Sequence, residues 1–148
     1  MADPRGFLKV TNRETAKRRP VEVRIMDWKE VYEKRDQGTL KQQAGRCMDC
    51  GVPFCHQGCP LGNLIPEWND LTWRGDGKGA LVRLHATNNV PEFTGRLCPA
   101  PCETGCNRNE VEDHVGINSV EHFLGDYANA NKLAYRKPEK QTGKKIAV

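Results

Sequence analysis

The chain has 148 residues, which suits a single domain, and a net charge of +4 from 23 basic and 19 acidic side chains. Hydrophobic residues make up 37% of the sequence and aromatic residues 7%, so the apolar core must be thin for this length. The basic excess is too small and too scattered to indicate a nucleic-acid partner, and no apolar run approaches the roughly 18 residues of a membrane span. The N-terminus also lacks an apolar signal segment, so we expect a cytoplasmic protein whose cysteines stay reduced.

The first 26 residues predict an extended N-terminal arm. They contain Pro4, Pro20 and many charges with little periodicity, so we assign no secondary structure to residues 1–26. We expect this arm to lie against other parts of the protein or against a partner.

Residues 27–130 predict a small, mainly α-helical domain with long cysteine-bearing loops. The segment Asp27–Glu30 has the form of a capping box and predicts a short helix that stops near Gly38, and residues 39–47 are good helix formers. Apolar residues at helical spacing then predict three further helices. These lie around Leu64–Leu71, over Gly79–Asn88 and over Asn118–Ala128.

The C-terminal residues read as a linker followed by the start of another domain. Residues 131–143 are basic and loop-like, and residues 144–148 end in an apolar run typical of a buried parallel strand. Because a single strand is unstable without neighbours, we expect the chain to be truncated here, at the first strand of a dinucleotide-binding domain.

Seven cysteines form two groups and are the strongest functional signal. Their odd number argues against a closed disulfide framework. In the first group, Cys-x2-Cys-x4-Cys-x3-Cys-Pro is close to the run of bacterial ferredoxins. Thiolates also bind zinc, but only one pair has zinc-knuckle spacing, so iron-sulfur clusters are favoured and a zinc-stabilised interaction domain is the alternative. The groups are Cys47, Cys50, Cys55 and Cys59, and then Cys98, Cys102 and Cys106.

Two [4Fe-4S] clusters need eight protein ligands, so one ligand is not a cysteine. In two-cluster ferredoxins, neighbouring cysteines bind three corners of a cluster and a distant cysteine binds the fourth. We therefore predict that Cys106 joins the first three cysteines and that Cys59 joins the second group. The predicted sets are Cys47, Cys50, Cys55 and Cys106 for the first cluster, and Cys59, Cys98 and Cys102 for the second.

Six stretches of the sequence carry a resemblance to a known family. They are Asp3–Phe7, Arg19–Val21, Gln42–Cys55, Gly58–Pro66, Glu92–Glu103 and Ile117. With these residues the chain resembles the N-terminal end of the small (β) subunit of bacterial NADPH-dependent glutamate synthase. The wider family includes the N-terminal domain of dihydropyrimidine dehydrogenase, which shares the cysteine order and is the alternative enzyme.

The resemblance implies a ferredoxin-like helical domain with two [4Fe-4S] clusters, followed by a C-terminal reductase domain that binds FAD and NADPH. Electrons would pass from NADPH through FAD and the clusters to FMN in the large (α) subunit, which makes L-glutamate from glutamine and 2-oxoglutarate. The partners implied are this large subunit and the chain's own reductase domain. The chain by itself is then expected to lack catalytic activity.

Glu121 is the predicted eighth ligand, on the second cluster. It lies four residues after Ile117 and three before Leu124, at the edge of the apolar face of its helix. The resemblance also implies that related dehydrogenases carry a glutamine at the corresponding position. That glutamine is a precedent for an oxygen ligand here. The alternatives are an exposed helix glutamate, or His56 or His122 as the ligand.

Overall fold

The computed structural model describes residues 3–134, 139–140 and 142–147, and it is mainly α-helical, as predicted. An antiparallel bridge joins Arg18 and Tyr32. Within the described residues, no helix combines the length and the apolar character that crossing a membrane requires. The α-helices are α1 Gly6–Lys9, α2 Val21–Arg24, α3 Gln37–Ala44, α4 Phe54–Gly58, α5 Ile65–Arg74, α6 Gly77–His85, α7 Pro91–Leu97, α8 Pro101–Thr104 and α9 Ile117–Ala130, with a 3-10 turn at Asn107–Glu110 before α9.

The core lies where α5, α6 and α7 pack around α9, with α3 against α5. Trp68 of α5 is fully buried there, together with Leu84 of α6 and Leu124 of α9. Helix α5 ends at Gly75, whose positive φ of 83° provides the left-handed cap typical of helix C-termini. The three helices predicted from apolar periodicity are confirmed, each with its boundaries shifted by a few residues.

The helix predicted after Asp27 is wrong. The Asp27 carboxylate accepts a hydrogen bond from Arg19 Nη2 at 2.6 Å, and the Glu30 carboxylate accepts one from Arg96 Nε at 2.6 Å. Both carboxylates of the supposed capping box are therefore engaged by arginines of other segments. The next helix, α3, begins after Asp36, and Gly38 lies inside it rather than at a helix stop.

The first part of the N-terminal arm packs against this same domain, and it contains the short helix α1. Gln43 of α3 makes two hydrogen bonds to the arm. Its Nε2 donates to Asn12 O at 3.0 Å, and its Oε1 accepts from Glu14 N at 3.0 Å. Arg46, which is fully buried, donates to four backbone carbonyls that join the arm to the segment before α9. These carbonyls belong to Val10, Thr11, Asp113 and His114.

The second part of the arm forms an irregular hairpin over residues 17–33. Backbone bonds from Arg19 N to Val31 O and from Glu33 N to Lys17 O close it. Its tip carries exposed apolar side chains, among them Ile25, Met26 and Trp28.

The predicted linker at 131–143 and strand at 144–148 include residues 135–138, 141 and 148, which lie outside the described residues. The described residues 142–147 have no regular secondary structure, and Ile146 is exposed. A strand needs a neighbouring strand for its backbone hydrogen bonds. The start of a second domain at residue 144 therefore stays a prediction.

Candidate iron-sulfur centres

Two short helices, α4 and α8, position most of the cysteines. Each carries or adjoins two cysteines spaced four residues apart, with a glycine directly before the second one. The glycines let the helices touch: a Cβ on Gly58 would lie 3.0 Å from Pro101 O, and one on Gly105 would lie 3.1 Å from Phe54 O. This close approach brings together cysteines that are more than 40 residues apart in the sequence. The pairs are Cys55 and Cys59, and Cys102 and Cys106.

Four cysteines line one cavity, which we call the first site. Three come from the first cysteine group, and the fourth comes from the end of the second group, after α8. These are the four cysteines predicted for the first cluster, and their role as its ligands stays a prediction. The four residues are Cys47, Cys50, Cys55 and Cys106.

The wall of the first site is mostly apolar. Met48, Phe54, Ile65 and Ile117 are among the side chains that surround the thiols. Desolvation, together with the neighbouring thiols, raises the pKa of Cys47 and of Cys55 to about 12. Such thiols remain protonated at neutral pH unless a metal displaces the proton, as metal coordination does. The site therefore offers soft sulfur ligands in a dry environment, which fits an iron-sulfur cluster.

A buried cation also faces this cavity. Arg108 lines the first site and is only 1% exposed. Its Nε–H is buried and has no hydrogen-bond partner among the described residues. An unpaired cationic donor beside four thiols fits an anionic occupant, because a cluster bound by thiolates carries negative charge.

The remaining cysteines and Glu121 are grouped around Cys102, and we call this group the second site. Burial raises the pKa of Cys102, and the nearby groups that raise it further are Glu103, Cys59, Glu121 and Cys98. Cys59 follows α4, Cys98 follows α7 and Glu121 lies on α9, so three helices meet at α8 here. Cys98 is exposed, whereas Cys102 is buried. The second site is thus closer to the surface on its Cys98 side.

Glu121 points inward and is 6% exposed, so the alternative of an exposed helix glutamate does not apply. Asn88 Nδ2 donates to Glu121 Oε1 at 3.0 Å, and the Thr94 hydroxyl donates to the same oxygen. Burial raises the pKa of Glu121, while these two hydrogen bonds act in the opposite direction. The contacts hold the carboxyl in one orientation, and its role as a ligand remains a prediction.

The two histidines considered as ligands have other contacts. His56 Nε2 accepts a hydrogen bond from Ile65 N at 3.1 Å, at the start of α5. The His122 ring packs edge-on against Tyr32, with ring centroids 5.4 Å apart, and its Nε2 lies 3.3 Å from an Asp126 carboxylate oxygen. Both rings therefore contribute to packing or polar contacts within the helical domain.

Sequence reasoning missed Glu103, a buried carboxylate directly after Cys102. Its Oε1 accepts from the backbone N–H of Asn118 at 2.9 Å, at the start of α9, and its Oε2 accepts from Arg13 Nη2 at 2.8 Å. His114 Nε2 lies 2.8 Å from the same oxygen. No local pattern predicts this, because Asn118 and Arg13 are 15 and 90 residues away in the sequence. The short helices α4, α7 and α8 were also missed, although Pro91 and Pro101 are typical first-turn residues.

In the part of the chain that the structure describes, no three His, Cys, Asp or Glu side chains are arranged to hold a single metal ion. The ligands of a four-iron cluster stand further apart than those of one ion, because the cluster itself is larger.

A small helical domain that gathers seven cysteines and a buried carboxylate into two sites belongs to the class of iron-sulfur domains. Residues 24–133 match the family of dihydropyrimidine dehydrogenase domain II, 4Fe-4S cluster. The chain belongs to this family, which favours iron-sulfur chemistry over the zinc alternative.

Curated relatives extend this similarity to the whole chain. The small chain of NADPH glutamate synthase from Mycobacterium tuberculosis is 58% identical over 149 aligned residues, which cover 100% of this chain and 30% of that protein. The Bacillus subtilis small chain is 45% identical, covering 100% of this chain and 32% of its own length. The NADH glutamate synthase of Schizosaccharomyces pombe is 45% identical over 97% of this chain and 7% of its own length. The chain thus spans about a third of the bacterial relatives that it matches.

Proposed function

We propose that this chain is the electron-transferring domain of a glutamate synthase small subunit. It would pass electrons from NADPH, through FAD and two [4Fe-4S] clusters, to FMN in the large subunit, which forms L-glutamate from glutamine and 2-oxoglutarate. The observation that carries the proposal is the gathering of four cysteines from two distant groups around one dry cavity. The 58% identity to a small chain of that name supports this enzyme over dihydropyrimidine dehydrogenase.

The first cluster is assigned to Cys47, Cys50, Cys55 and Cys106, which line the first site. A bound cluster would supply one-electron transfer there. The protein's part is to provide thiolates, to exclude water with the apolar wall, and to hold the two cysteine groups in register through the contact between α4 and α8. Each of these factors influences the reduction potential of a cluster.

The second cluster is assigned to Cys59, Cys98, Cys102 and Glu121. The electrostatic proximity of the other three groups to Cys102 supports this set. The hydrogen bonds from Asn88 and Thr94 hold the Glu121 carboxyl in one orientation, as hydrogen-bond partners of metal ligands commonly do.

Under this assignment, the distance that an electron crosses between the two sites is short. Cys55 and Cys59 are four residues apart along α4 and its C-cap, and one turn of an α-helix rises about 5.4 Å. Cys102 and Cys106 connect the same two sites from the other side. The two sites are thus adjacent, and electrons need not cross a wide stretch of protein between them.

The remaining components are assigned to parts outside this chain. FAD and NADPH would bind to the small subunit's own C-terminal reductase domain, and FMN to the large subunit. The bacterial relatives are small chains of glutamate synthase, which supports a large-subunit partner. We place this assembly in the cytoplasm, without a nucleic-acid or membrane partner.

Spectroscopy of anaerobically purified protein tests the cofactor. We expect a brown protein with broad absorption near 400 nm, acid-labile sulfide and about eight iron atoms per chain, as two four-iron clusters require. A colourless protein that contains zinc instead would refute the proposal.

Matched serine variants on α4 and α8 test the ligand sets. Cys55→Ser and Cys106→Ser are expected to alter the EPR signal of one cluster, and Cys59→Ser and Cys102→Ser that of the other. If Cys55→Ser and Cys59→Ser changed the same signal while leaving the other intact, the two sets would be wrong. All four substitutions are equally conservative, so the comparison separates ligation from general damage to α4 or α8.

A further inference from the structure

Arg108 has a buried N–H donor that is not hydrogen-bonded to any described residue. The residue sits in the 3-10 turn two positions after Cys106 and lines the first site. Its Nη2 donates to Phe7 O at 2.8 Å and Val10 O at 3.4 Å and also pairs with the Glu112 carboxylate. Its Nε–H is buried without a partner in the described part of the chain. Burying an unpaired cationic donor is unfavourable, so the folded protein should supply an acceptor there.

We propose that Arg108 Nε–H donates a hydrogen bond to a sulfur of the first cluster and thereby raises the reduction potential of that cluster. This inference rests on the proposed function, because it requires a cluster at the first site. Hydrogen bonds to cluster sulfurs are among the factors that set the reduction potential. Reduction adds one negative charge to the cluster, so a nearby cation and donor stabilise the reduced form more than the oxidised form.

Few other groups in the wall of the first site can stabilise the reduced cluster in this way. Met48, Phe54, Ile65 and Ile117 are apolar and provide no side-chain donor. The two amides of the wall donate to backbone carbonyls instead, Asn69 Nδ2 to Ile65 O at 3.0 Å and Asn107 Nδ2 to Val52 O at 3.5 Å. Glu112, which pairs with Arg108, is 38% exposed, so solvent weakens the charge that opposes the guanidinium. In this dry wall Arg108 is therefore the residue that brings a formal positive charge to the cluster.

Arg46 provides a matched control. It is an equally buried arginine, and it shares the acceptor Val10 O with Arg108. Its hydrogen bonds, however, go to backbone carbonyls of the arm and of the segment before α9, and it is not one of the described residues that line the first site. Replacing Arg46 should loosen the arm without removing a donor from the cluster.

Redox titration followed by EPR tests the inference in cluster-loaded Arg108→Gln, Arg108→Lys and Arg46→Lys proteins. The signal of the first cluster is the one that Cys50→Ser alters. We expect Arg108→Gln to lower its one-electron reduction equilibrium constant by at least about tenfold, which is 59 mV. Arg108→Lys keeps a charge but loses the planar donor fork, so its shift should be smaller and of the same sign. Arg46→Lys should leave the potential unchanged.

The outcomes separate this inference from the proposed function. An unchanged potential in Arg108→Gln, or an equal shift in Arg46→Lys, overturns the role of Arg108 while the clusters and their ligands stand. If the unaltered protein itself shows no [4Fe-4S] signals, the proposed function fails first. A negative shift confined to the Arg108 variants and to the first cluster supports the inference.

Discussion

At the scale of single residues, the two buried glutamates next to the second site have different environments. Glu103 is held by Arg13 and by the backbone N–H of Asn118, so its negative charge is matched. Glu121 receives hydrogen bonds only from the neutral side chains of Asn88 and Thr94 among its described partners, and burial raises its pKa. A carboxyl without a cationic partner is the one that gains most from a bound metal.

Glu121→Ala should therefore disturb the second cluster and spare the first. We expect iron to fall toward about half of its normal content, as loss of one of two four-iron clusters implies, and the remaining EPR signal to be that of the first cluster. Glu110→Ala, which changes an exposed glutamate of the 3-10 turn, serves as the control. Retention of both clusters with unaltered EPR spectra and potentials would show that Glu121 is not a ligand.

At the scale of the helices, the contact between α7 and α9 controls where Thr94 and Glu121 meet. A Cβ added to Gly95 would lie 2.5 Å from His122 Cα and 2.7 Å from His122 N. These are backbone atoms of a helix and cannot move alone, so α7 and α9 must separate. The glycine is therefore needed for close packing of the two helices rather than for an unusual backbone angle.

Gly95→Ala should destabilise the protein by about 1–3 kcal/mol, the usual cost of overpacking a tight core. Urea unfolding of the cluster-loaded protein measures this. Gly51→Ala is the matched control, because its Cβ would meet no described atom within 4 Å. Equal stability of the Gly95→Ala protein and the original would mean that the helices are less tightly packed than the structure indicates.

The hairpin of residues 17–33 depends on an arginine of α7. Arg96 donates to Glu30 of the hairpin at 2.6 Å and to Asp126 of α9 at 2.7 Å. Arg96→Ala removes both contacts. Since half-exposed ion pairs contribute roughly 1 kcal/mol at most, we expect the hairpin to open about fivefold more often.

Limited proteolysis reports this opening, because cleavage follows the population of the open form when closing is fast. Cleavage within residues 19–33 should become faster in Arg96→Ala. The control variant Arg74→Ala changes an exposed arginine of α5 that pairs with Asp70 in its own helix. This variant should be cleaved at the same rate as the original protein. Similar rates in both variants would show that Arg96 does not hold the hairpin.

At the scale of the whole molecule, the two sites connect α4 and α8, which pack mainly against each other, to the helices of the apolar core. The first site links α4 and the loop before it to the end of α8, and the second site links α4, α7, α8 and α9. Metal binding of this kind contributes directly to the free energy of folding. The clusters should therefore be structural as well as redox-active.

Removing the clusters should unfold much of the domain. We expect oxidation in the presence of a chelator to lower the far-UV circular dichroism of the helices, and anaerobic reconstitution with iron and sulfide to restore it. Unchanged circular dichroism after complete loss of iron would show that the apolar core suffices for folding.

NADPH oxidation should be absent from this chain alone. Hydride transfer needs a glycine-rich turn between a strand and a helix to hold the dinucleotide. The closely spaced glycines here instead join one helix to another: Gly75 caps the end of α5, and Gly77 and Gly79 lie in the first turn of α6. An assay with NADPH and an artificial electron acceptor, beside the same chain extended through its reductase domain, checks this. A rate comparable to that of the extended protein would place the catalytic centre in this domain.

The sequence by itself determined the helical class, the three amphipathic helices and the division of the cysteines into two groups. Helix periodicity depends on residues three and four positions apart, and ligand spacing on short loops, so both can be read from neighbouring residues. A general rule for two-cluster ferredoxins also placed Cys106 with the first three cysteines. Cys106 does line the first site, and its ligation of a cluster stays a prediction.

Only the tertiary structure decided how the polar side chains are used. Asp27 and Glu30 look like a helix start, but Arg19 and Arg96 bind them, and the local helix signal is too weak to compete with these partners. The anchoring of the arm by Arg46 and the position of Arg108 in the wall of the first site were likewise invisible in the sequence. These partners lie up to 101 residues apart, and only packing of the helices brings them within hydrogen-bond distance.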